Sequence, residues 1–308
     1  MKTTAKTVNP DSIDLKTYLG EKKAVVDKAL EACFNEPEGP ASQIIESMKY
    51  SLFAGGKRLR PILCLAGAEA VGGGEADALP VACALELIHT YSLIHDDLPV
   101  MDDDDLRRGK PANHKVFGEA VALLAGDALL AEAFNLIAAT EVAEKVSASA
   151  LLKVTGMIAR ASGYRGMIGG QLVDIQWQGK TADPSIVEFI HTRKTGALIT
   201  ASVVSGAILG GGNESQIKAI TSYGEKTGLA FQISDDILDI EGDSNAMGKT
   251  AGADEQMGKV TYPAVVGLNR SKEIQAELAE AAIESLGSFG SGAEPLRRIA
   301  QYIVERNK

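Results

Sequence analysis

The segment from Val121 to Ala139 constrains the fold more than any other part of the chain. It is apolar nearly all round and rich in alanine and leucine, which is typical of a helix buried among other helices. Asp127 interrupts it, and no uninterrupted run of about 18 apolar residues, the length that spans a membrane, occurs in the sequence. The N-terminus also lacks the apolar core of a secretory signal. We therefore expect a soluble, cytoplasmic protein without stable membrane insertion.

Helical periodicity continues through most of the remaining sequence. Ser42 is expected to cap a helix that ends at Gly55-Gly56. The other predicted helices cover roughly 81–95, 148–170, 185–208, 214–240, 271–286 and 294–305.

Signals for strands and linkers are weak. Few β-branched runs alternate with polar residues, and no Asn-Gly or Asp-Gly hairpin turn occurs. Glycine-rich stretches at 72–74, 210–212 and 287–292 predict turns between helices. The sequence therefore predicts a single all-α domain across residues 1–308.

Composition and charge narrow the class of partner. The chain carries 31 Lys and Arg against 41 Asp and Glu, a formal net charge of −10, and its mean hydropathy is +0.01. A folded, acidic protein of this kind is not expected to bind nucleic acid. Three cysteines without CxxC spacing favour reduced thiols in the core over a disulfide framework or a zinc site; they are Cys33, Cys64 and Cys83.

Two aspartate clusters carry the chemical signal, and the second is the simpler one. Asp235 and Asp239 share one face of a predicted helix, with Asp236 beside them. Charges about 4 Å apart repel by roughly 4 kcal/mol at an effective dielectric near 20, and a divalent cation relieves this repulsion. Mg²⁺ suits such a site, because it binds one or two carboxylates together with substrate phosphates. The residues expected to face the core from this helix are Ile233, Ile237 and Ile240.

The first cluster lies in HDDLPVMDDDDLRRGKP, where six of the ten residues from Asp96 to Asp105 are Asp. Pro99 disfavours regular helix just after Asp96 and Asp97. Asp96 and Asp102 can bind one ion only if the chain bends between them, and the proline provides for that bend. Arg107 and Arg108 follow at once, which suits a phosphate held between metal and guanidinium groups.

Either cluster alone could equally be a solvated charged face. A calcium-binding loop fits poorly, because Leu106 and Arg107 occupy positions that need a ligand and a glycine. The His95-Asp96 pair is similar to that of metal phosphohydrolases, but that reading leaves the other aspartates unused. The two clusters together favour paired metal–phosphate sites.

Cations near glycine turns form the other half of the predicted site. GGKRLRP places three cations beside Gly55-Gly56, while Lys194 and Thr195 follow a helix. Lys249 and Lys259 follow the second aspartate cluster. In an acidic protein, this arrangement indicates a polyanionic ligand.

These motifs, together with GGQLVDI, RKTGALI, FQISDDILD and GKVTYPA, resemble the trans-isoprenyl diphosphate synthases, and most of all the bacterial farnesyl diphosphate synthases (geranyltranstransferases). The resemblance runs from about residue 42 to the C-terminus. It implies a homodimer of all-α chains, each a single large bundle of antiparallel helices around a central cavity. It also implies head-to-tail condensation of isopentenyl diphosphate with dimethylallyl and then geranyl diphosphate, with about three Mg²⁺ ions.

The resemblance assigns roles residue by residue. Mg²⁺ ligands would be Asp96, Asp97, Asp102, Asp235, Asp236 and Asp239. The isopentenyl diphosphate site would comprise Gly56, Lys57, Arg60, His89 and Arg108. The allylic side would comprise Arg107, Lys194, Thr195, Gln232, Lys249 and Lys259, with Gln171 and Asp174 lining the cavity between.

Product length is expected to depend on Tyr91, five residues before Asp96, with Ser92 next to it. Tyr91 would lie roughly 7.5 Å along the helix from the metal site, where it can meet the tail of a bound product. The C15 product farnesyl diphosphate is therefore predicted, and a C20 synthase is the alternative. A terpene cyclase and a non-catalytic subunit are less favoured, since both aspartate clusters are intact.

Overall fold

The computed structural model describes residues 13–34, 39–139, 146–241 and 258–305. Regular structure within these ranges is almost entirely helical, which confirms the predicted all-α fold. The α-helices are α1 (Leu15–Ala32), α2 (Ser42–Leu52), α3 (Leu59–Ala70), α4 (Glu75–Asp96), α5 (Asn113–Phe117), α6 (Glu119–Ile137), α7 (Ala148–Ser162), α8 (Met167–Trp177), α9 (Pro184–Ile190), α10 (Ala197–Leu209), α11 (Glu214–Glu241), α12 (Tyr262–Val266), α13 (Leu268–Ser285) and α14 (Glu294–Glu305).

Three short elements interrupt this pattern. A π-helical segment, His191–Gly196, joins α9 to α10, and a 3₁₀ turn, Ser291–Ala293, precedes α14. Strands β1 (Leu106–Arg107) and β2 (Lys110–Pro111) form a small antiparallel hairpin. This hairpin was not expected, because its turn is Arg108-Gly109 and not a typical Asn-Gly pair.

The core lies between α3, α4 and α10. Nearly every residue of α3 and α10 is buried, so these helices form the centre of the bundle. A Cβ atom at Gly206 would lie 1.7 Å from the Cys64 carbonyl oxygen, and one at Gly67 would lie 2.2 Å from the Val203 carbonyl oxygen. The backbones of α3 and α10 are therefore in direct contact.

Several helix boundaries differ from expectation. The predicted helix 148–170 is divided into α7 and α8 by a turn at 163–166. Gly166 permits this break, since a Cβ there would lie 2.1 Å from the Ala161 carbonyl oxygen. Ser42 is the first residue of α2 and not its cap, which is Ala41 without a side-chain hydrogen bond.

α6 is helical as predicted, but it is buried on one face only. Ala125 and Leu129 face the core, whereas Leu123 and Leu124 are 46% and 53% exposed. By length and composition alone, α4 and α6 could each cross a membrane. Two-thirds of the apolar stretch of α4 is buried within the protein, against one-third of that of α6.

Candidate active site

The first aspartate cluster lies where α4 ends and the chain turns back on itself. The Asp102 backbone N–H donates to the Asp96 carbonyl oxygen at 2.9 Å. The bend expected at Pro99 is therefore present, and it brings the two aspartates together. Burial raises the pKa of Asp96 to about 6; Lys194 opposes this rise, and the charge of Asp102 adds to it.

Asp97 and Arg107 are joined within this turn. Arg107 Nε donates to Asp97 Oδ1 at 2.8 Å, and Arg107 Nη2 donates to Asp104 Oδ2 at 3.0 Å. Asp97 is 2% exposed, so the guanidinium compensates a buried carboxylate. The pair anchors the β1–β2 hairpin to the end of α4.

The GGKRLRP loop forms one wall of a cleft of about 470 Å³. Gly56 has φ of 123°, and a Cβ there would lie 2.7 Å from the Arg108 guanidinium. Arg108 in turn donates to the Gly55 carbonyl oxygen, so the hairpin and the loop close the cleft together. Lys57 and Arg60 line the same cleft. We call it the cationic cleft, because its lysine and arginine side chains suit an anion such as diphosphate.

Arg58 fixes the loop from behind. Its guanidinium donates to Glu86 Oε1 at 2.8 Å, to Asp27 Oδ1 at 2.7 Å and to the Leu52 carbonyl oxygen at 2.7 Å. Arg58 is 3% exposed and Glu86 is 1% exposed. Glu86 lies on α4 one turn before His89, which lines the cationic cleft.

His89 lies in a strongly positive environment. Burial, followed by the charges of Arg60 and Arg108, lowers the pKa of His89 well below its ordinary value. The imidazole is therefore neutral at physiological pH and can both donate and accept a hydrogen bond. Burial also lowers the pKa of Arg60, which extends from the first turn of α3.

The π-helical segment presents Lys194 and Thr195 to the centre of the molecule. Lys194 Nζ donates to Asp174 Oδ2 at 2.7 Å. Burial alone would lower the pKa of Lys194, but Asp174 and Asp96 together raise it. A Cβ at Gly170 would lie 2.3 Å from the Lys194 backbone nitrogen, so α8 packs directly against this segment.

The second aspartate cluster, on α11, divides into two kinds of side chain. Asp236 is buried, and its carboxylate accepts the Tyr262 N–H at 2.9 Å and lies 2.7 Å from His191 Nε2. Asp235 and Asp239 are partly exposed on the predicted common face. On the other face Ile233 and Ile237 are fully buried, but the prediction for Ile240 is wrong, because it is 51% exposed near the end of α11.

Gln232 connects this cluster to the π-helical segment. Thr195 Oγ1 donates to Gln232 Oε1 at 2.8 Å, and Gln232 Nε2 donates to Asp236 Oδ1 at 3.3 Å. Lys259 Nζ lies 3.5 Å from Asp102 Oδ2, which links the chain after α11 to the first aspartate cluster. The contacts of both clusters therefore reach one polar region, because Gln232, Asp236 and Lys259 line the same cleft.

A cavity of about 500 Å³ extends into the bundle from this polar region, where Asp96, Lys194 and Thr195 line it. Both polar atoms of the Gln171 side chain are buried and have no hydrogen-bond partner among the described residues. The same holds for the Tyr91 hydroxyl, whose pKa burial raises to about 12. The residues predicted for the site that line this cavity are Arg60, His89, Tyr91, Ser92, Asp96, Gln171, Lys194 and Thr195.

The structure thus brings most of the predicted residues to one cavity and two adjoining clefts. Asp174, Lys194, Thr195, Gln232, Asp236 and Lys259 line a cleft of about 90 Å³ beside the cavity. Asp235 is near enough for its charge to act on Arg60, and Asp102 acts in the same way on Lys194. Lys249 lies outside the described residues.

No role in the site was expected for Glu86, His191 or Tyr262. Glu86 had a signal, since it is a lone acid within the apolar stretch ALELIH. His191 and Tyr262 contact Asp236 from distant parts of the chain, and local spacing carries no information about such contacts.

Known proteins with a similar sequence and structure support the same interpretation of this site. The sequence profile of the Polyprenyl synthetase family matches residues 41–289. The chain belongs to the polyprenyl synthetase family. It is a prenyltransferase, as the two aspartate clusters and the cationic cleft lead one to expect.

Relatives within the family differ in the product they are named for. The farnesyl diphosphate synthase of Geobacillus stearothermophilus is 47% identical over 296 residues, covering 96% of this chain and 99% of that protein. A chloroplastic geranylgeranyl pyrophosphate synthase of Catharanthus roseus is 50% identical over 301 residues, covering 96% and 82%. The apo crystal structure of an FPP/GFPP synthase from Zymomonas mobilis superposes with a TM-score of 0.84 at 38% identity, covering 94% and 99%.

Proposed function

We propose that this synthase condenses isopentenyl diphosphate head-to-tail with dimethylallyl and then geranyl diphosphate, giving farnesyl diphosphate. One observation carries the proposal: a largely apolar cavity of about 500 Å³ has Asp96 and Lys194 in its wall and adjoins two clefts, one with further carboxylates and Lys259, the other cationic. An allylic chain fits the cavity with its diphosphate at the carboxylate end. Isopentenyl diphosphate then occupies the cationic cleft, where Lys57, Arg60 and Arg108 compensate its charge without metal.

Mg²⁺ fits the carboxylate end. Among the described residues, no three acidic, histidine or cysteine side chains come close enough to bind a metal by themselves. Mg²⁺ commonly keeps waters and shares its shell between one or two carboxylates and substrate phosphates, so this spacing suits it. Asp96, Asp102 and Asp235 would hold such ions, about three with substrate bound, with Asp97, Asp236 and Asp239 as further candidates. When bound, the ions supply positive charge that stabilises the departing diphosphate.

The chain's own residues assist bond cleavage and condensation. The allylic C–O bond breaks and its electron pair leaves with the diphosphate, whose charge Lys194 and Lys259 stabilise. The Thr195 hydroxyl and the Gln232 amide place dipoles beside the allylic cation. The isopentenyl double bond forms the new C–C bond, and a proton then leaves to the released diphosphate. Because the released diphosphate takes the proton, no histidine base is required. The neutral imidazole of His89 then serves as a contact for the substrate.

Tyr91 supports a C15 product because its ring forms part of the cavity wall below Asp96. A geranylgeranyl synthase is the second candidate, and the relatives with that name favour it. The two differ by five carbons of product, which product analysis distinguishes directly.

The proposal extends to the oligomeric state and the cellular location of the protein. We assign residues 1–308 to one domain of a cytoplasmic homodimer. The exposed leucines of α6, with Val116 on the neighbouring α5, support a homodimer because they form an apolar surface that a second copy can cover.

A single assay tests the function. Purified protein is incubated with isopentenyl and dimethylallyl diphosphates, with Mg²⁺ or with EDTA, and the dephosphorylated products are separated by chromatography. We expect a C15 alcohol with Mg²⁺ and none with EDTA. A C20 main product would favour the second candidate, and the absence of any product with Mg²⁺ would contradict the proposal.

A further inference from the structure

A second cleft, of about 550 Å³, lies on the other side of the π-helical segment from the substrate cavity. Lys194 and Thr195 line the substrate cavity, whereas Thr192, Arg193 and Gly196 line this cleft. The remaining walls come from α7 and the turn after it, and from α9, α10, α11 and α13. Its volume is similar to that of the substrate cavity, so it can hold a molecule of similar size. We call it the rear cleft.

Positive charge dominates the rim of the rear cleft. Four basic side chains line it, against two acidic ones, Glu188 and Glu225. No ion pair within the described residues holds any of these six groups. The basic side chains contact neutral groups there: Arg165 the hydroxyl and ring of Tyr164, Arg193 the Arg165 carbonyl oxygen and the Phe189 ring, and Lys226 the hydroxyls of Ser222 and Ser285. The four are Arg160, Arg165, Arg193 and Lys226.

The lining beneath this rim is apolar. It consists of Met157 and Ala161 of α7, Ala201 of α10, Leu229 of α11 and Leu278 of α13. An apolar lining with a few convergent charged groups is the ordinary composition of a small-molecule site. In a chain with a net charge of −10, the local excess of cations selects an anion with an apolar tail.

We propose that the rear cleft binds a single-chain amphiphilic anion, namely an apolar chain with a phosphate or diphosphate head. Its occupancy acts on the reaction through the π-helical segment, whose one face forms the cleft and whose other face carries Lys194 and Thr195. This second part rests on the proposed function, whereas binding does not.

The construction of the π-helical segment makes such coupling direct. Gly170 of α8 packs against the Lys194 backbone, and a Cβ at Gly228 of α11 would lie 2.8 Å from Gly196 Cα. The segment is therefore closely packed, and Arg193 directly precedes Lys194 and Thr195 within it, so a ligand that moves Arg193 also moves these two residues. π-Helical turns occur often at functional sites, where they place side chains that a regular helix would not.

Binding of dodecyl phosphate, kept below its micellar concentration, tests the first part. Isothermal titration is done in EDTA with isopentenyl diphosphate saturating, so that the cationic cleft of the active site is filled. We expect the wild type to bind dodecyl phosphate at one further site, outside the active site. The Arg160→Gln/Arg165→Gln variant should bind it there at least tenfold more weakly. Lys28→Gln/Lys218→Gln removes two charges from exposed positions outside the cleft and should bind as the wild type does.

Steady-state kinetics test the second part. Dodecyl phosphate should lower kcat without raising the KM for geranyl diphosphate, and Arg160→Gln/Arg165→Gln should lose this inhibition while keeping the basal kcat. Equal affinity in both double variants, competition with geranyl diphosphate, or no further site in the wild type would each overturn the proposal. Binding to phosphatidylglycerol vesicles without binding to monomeric dodecyl phosphate would assign the cleft to a membrane surface instead. If the protein makes no prenyl product, the proposed function fails, but the titration still decides the binding.

Discussion

Arg58 combines two features that each cost free energy. It has a left-handed backbone, with φ of 53°, and a buried guanidinium. A non-glycine residue in this region carries about 1–3 kcal/mol of strain. Hydrogen bonds to Asp27, Glu86 and the Leu52 carbonyl oxygen offset that cost and leave Lys57 and Arg60 pointing to the cationic cleft.

Arg58→Leu should therefore destabilise the fold strongly. It leaves Glu86, which is 1% exposed, as an uncompensated buried charge, a change that typically costs about 3–5 kcal/mol. Arg58→Leu/Glu86→Leu should recover part of this loss, as urea unfolding can measure. The exposed Arg270, paired with Glu273 and Glu277, is a control, since Arg270→Leu removes only solvent-exposed ion pairs and should change the free energy of unfolding little. A double variant no more stable than Arg58→Leu would contradict the pairing argument.

Tyr91→Ala tests how the cavity limits product length. Removal of the ring leaves space below Asp96, so we expect C20 and longer products in place of C15, measured by chromatography of the dephosphorylated mixture. Tyr91→Phe is the matched control: the hydroxyl has no partner among the described residues, so C15 should remain the main product. Unchanged C15 output from Tyr91→Ala would exclude Tyr91 as the determinant of length.

At the level of elements, sequence periodicity predicted most of the long helices, but it did not predict α1 or α3, nor the features that shape the site. α4, α11 and α14 begin or end close to the predicted positions because their apolar residues recur at helical spacing. The π-helical segment lies inside the predicted helix 185–208. It was not predicted, because an inserted residue in the hydrogen-bond ladder leaves no local sequence signal. The hairpin was missed because Arg108 adopts a left-handed conformation that is held by contacts with the distant Gly55.

The same limit applies to the candidate site. Residue types and motif resemblance predicted the side chains that line the cavity, such as Asp96 and Lys194. They could not predict that the Asp236 carboxylate accepts hydrogen bonds from within the fold, because Tyr262 is distant in sequence.

Contact between α3 and α10 leads to a prediction about the core. Gly206→Ala would place a methyl group 1.7 Å from the Cys64 carbonyl oxygen, so the two central helices must separate. We expect a loss of about 1–3 kcal/mol or more of unfolding free energy, typical of overpacking. Gly156→Ala in α7 has nothing within 4 Å of the new Cβ and should stabilise by about 0.5–1 kcal/mol. Thermal unfolding of both variants measures the difference, and equal shifts would be inconsistent with the close contact.

On the scale of the whole molecule, the local charge at the proposed anion sites differs in sign from the net charge of the chain. The net charge of −10 would disfavour polyanions, yet cations gather around the cationic cleft and the rear cleft. Acidic residues concentrate at the two aspartate clusters, where divalent cations can compensate them. Net charge therefore describes solubility, whereas local charge describes which ligands bind.

The exposed apolar face of α6 leads to the last prediction. In a two-fold homodimer each substitution occurs twice in the interface, so Leu123→Glu/Leu124→Glu would bring four carboxylates into a surface that excludes water. We expect this variant to be monomeric at micromolar concentration, and the wild type dimeric, by size-exclusion chromatography with light scattering. Tyr302→Glu changes an apolar residue of similar exposure, 40%, on α14 and should remain dimeric. A dimeric Leu123→Glu/Leu124→Glu variant would mean that the subunits meet through another surface.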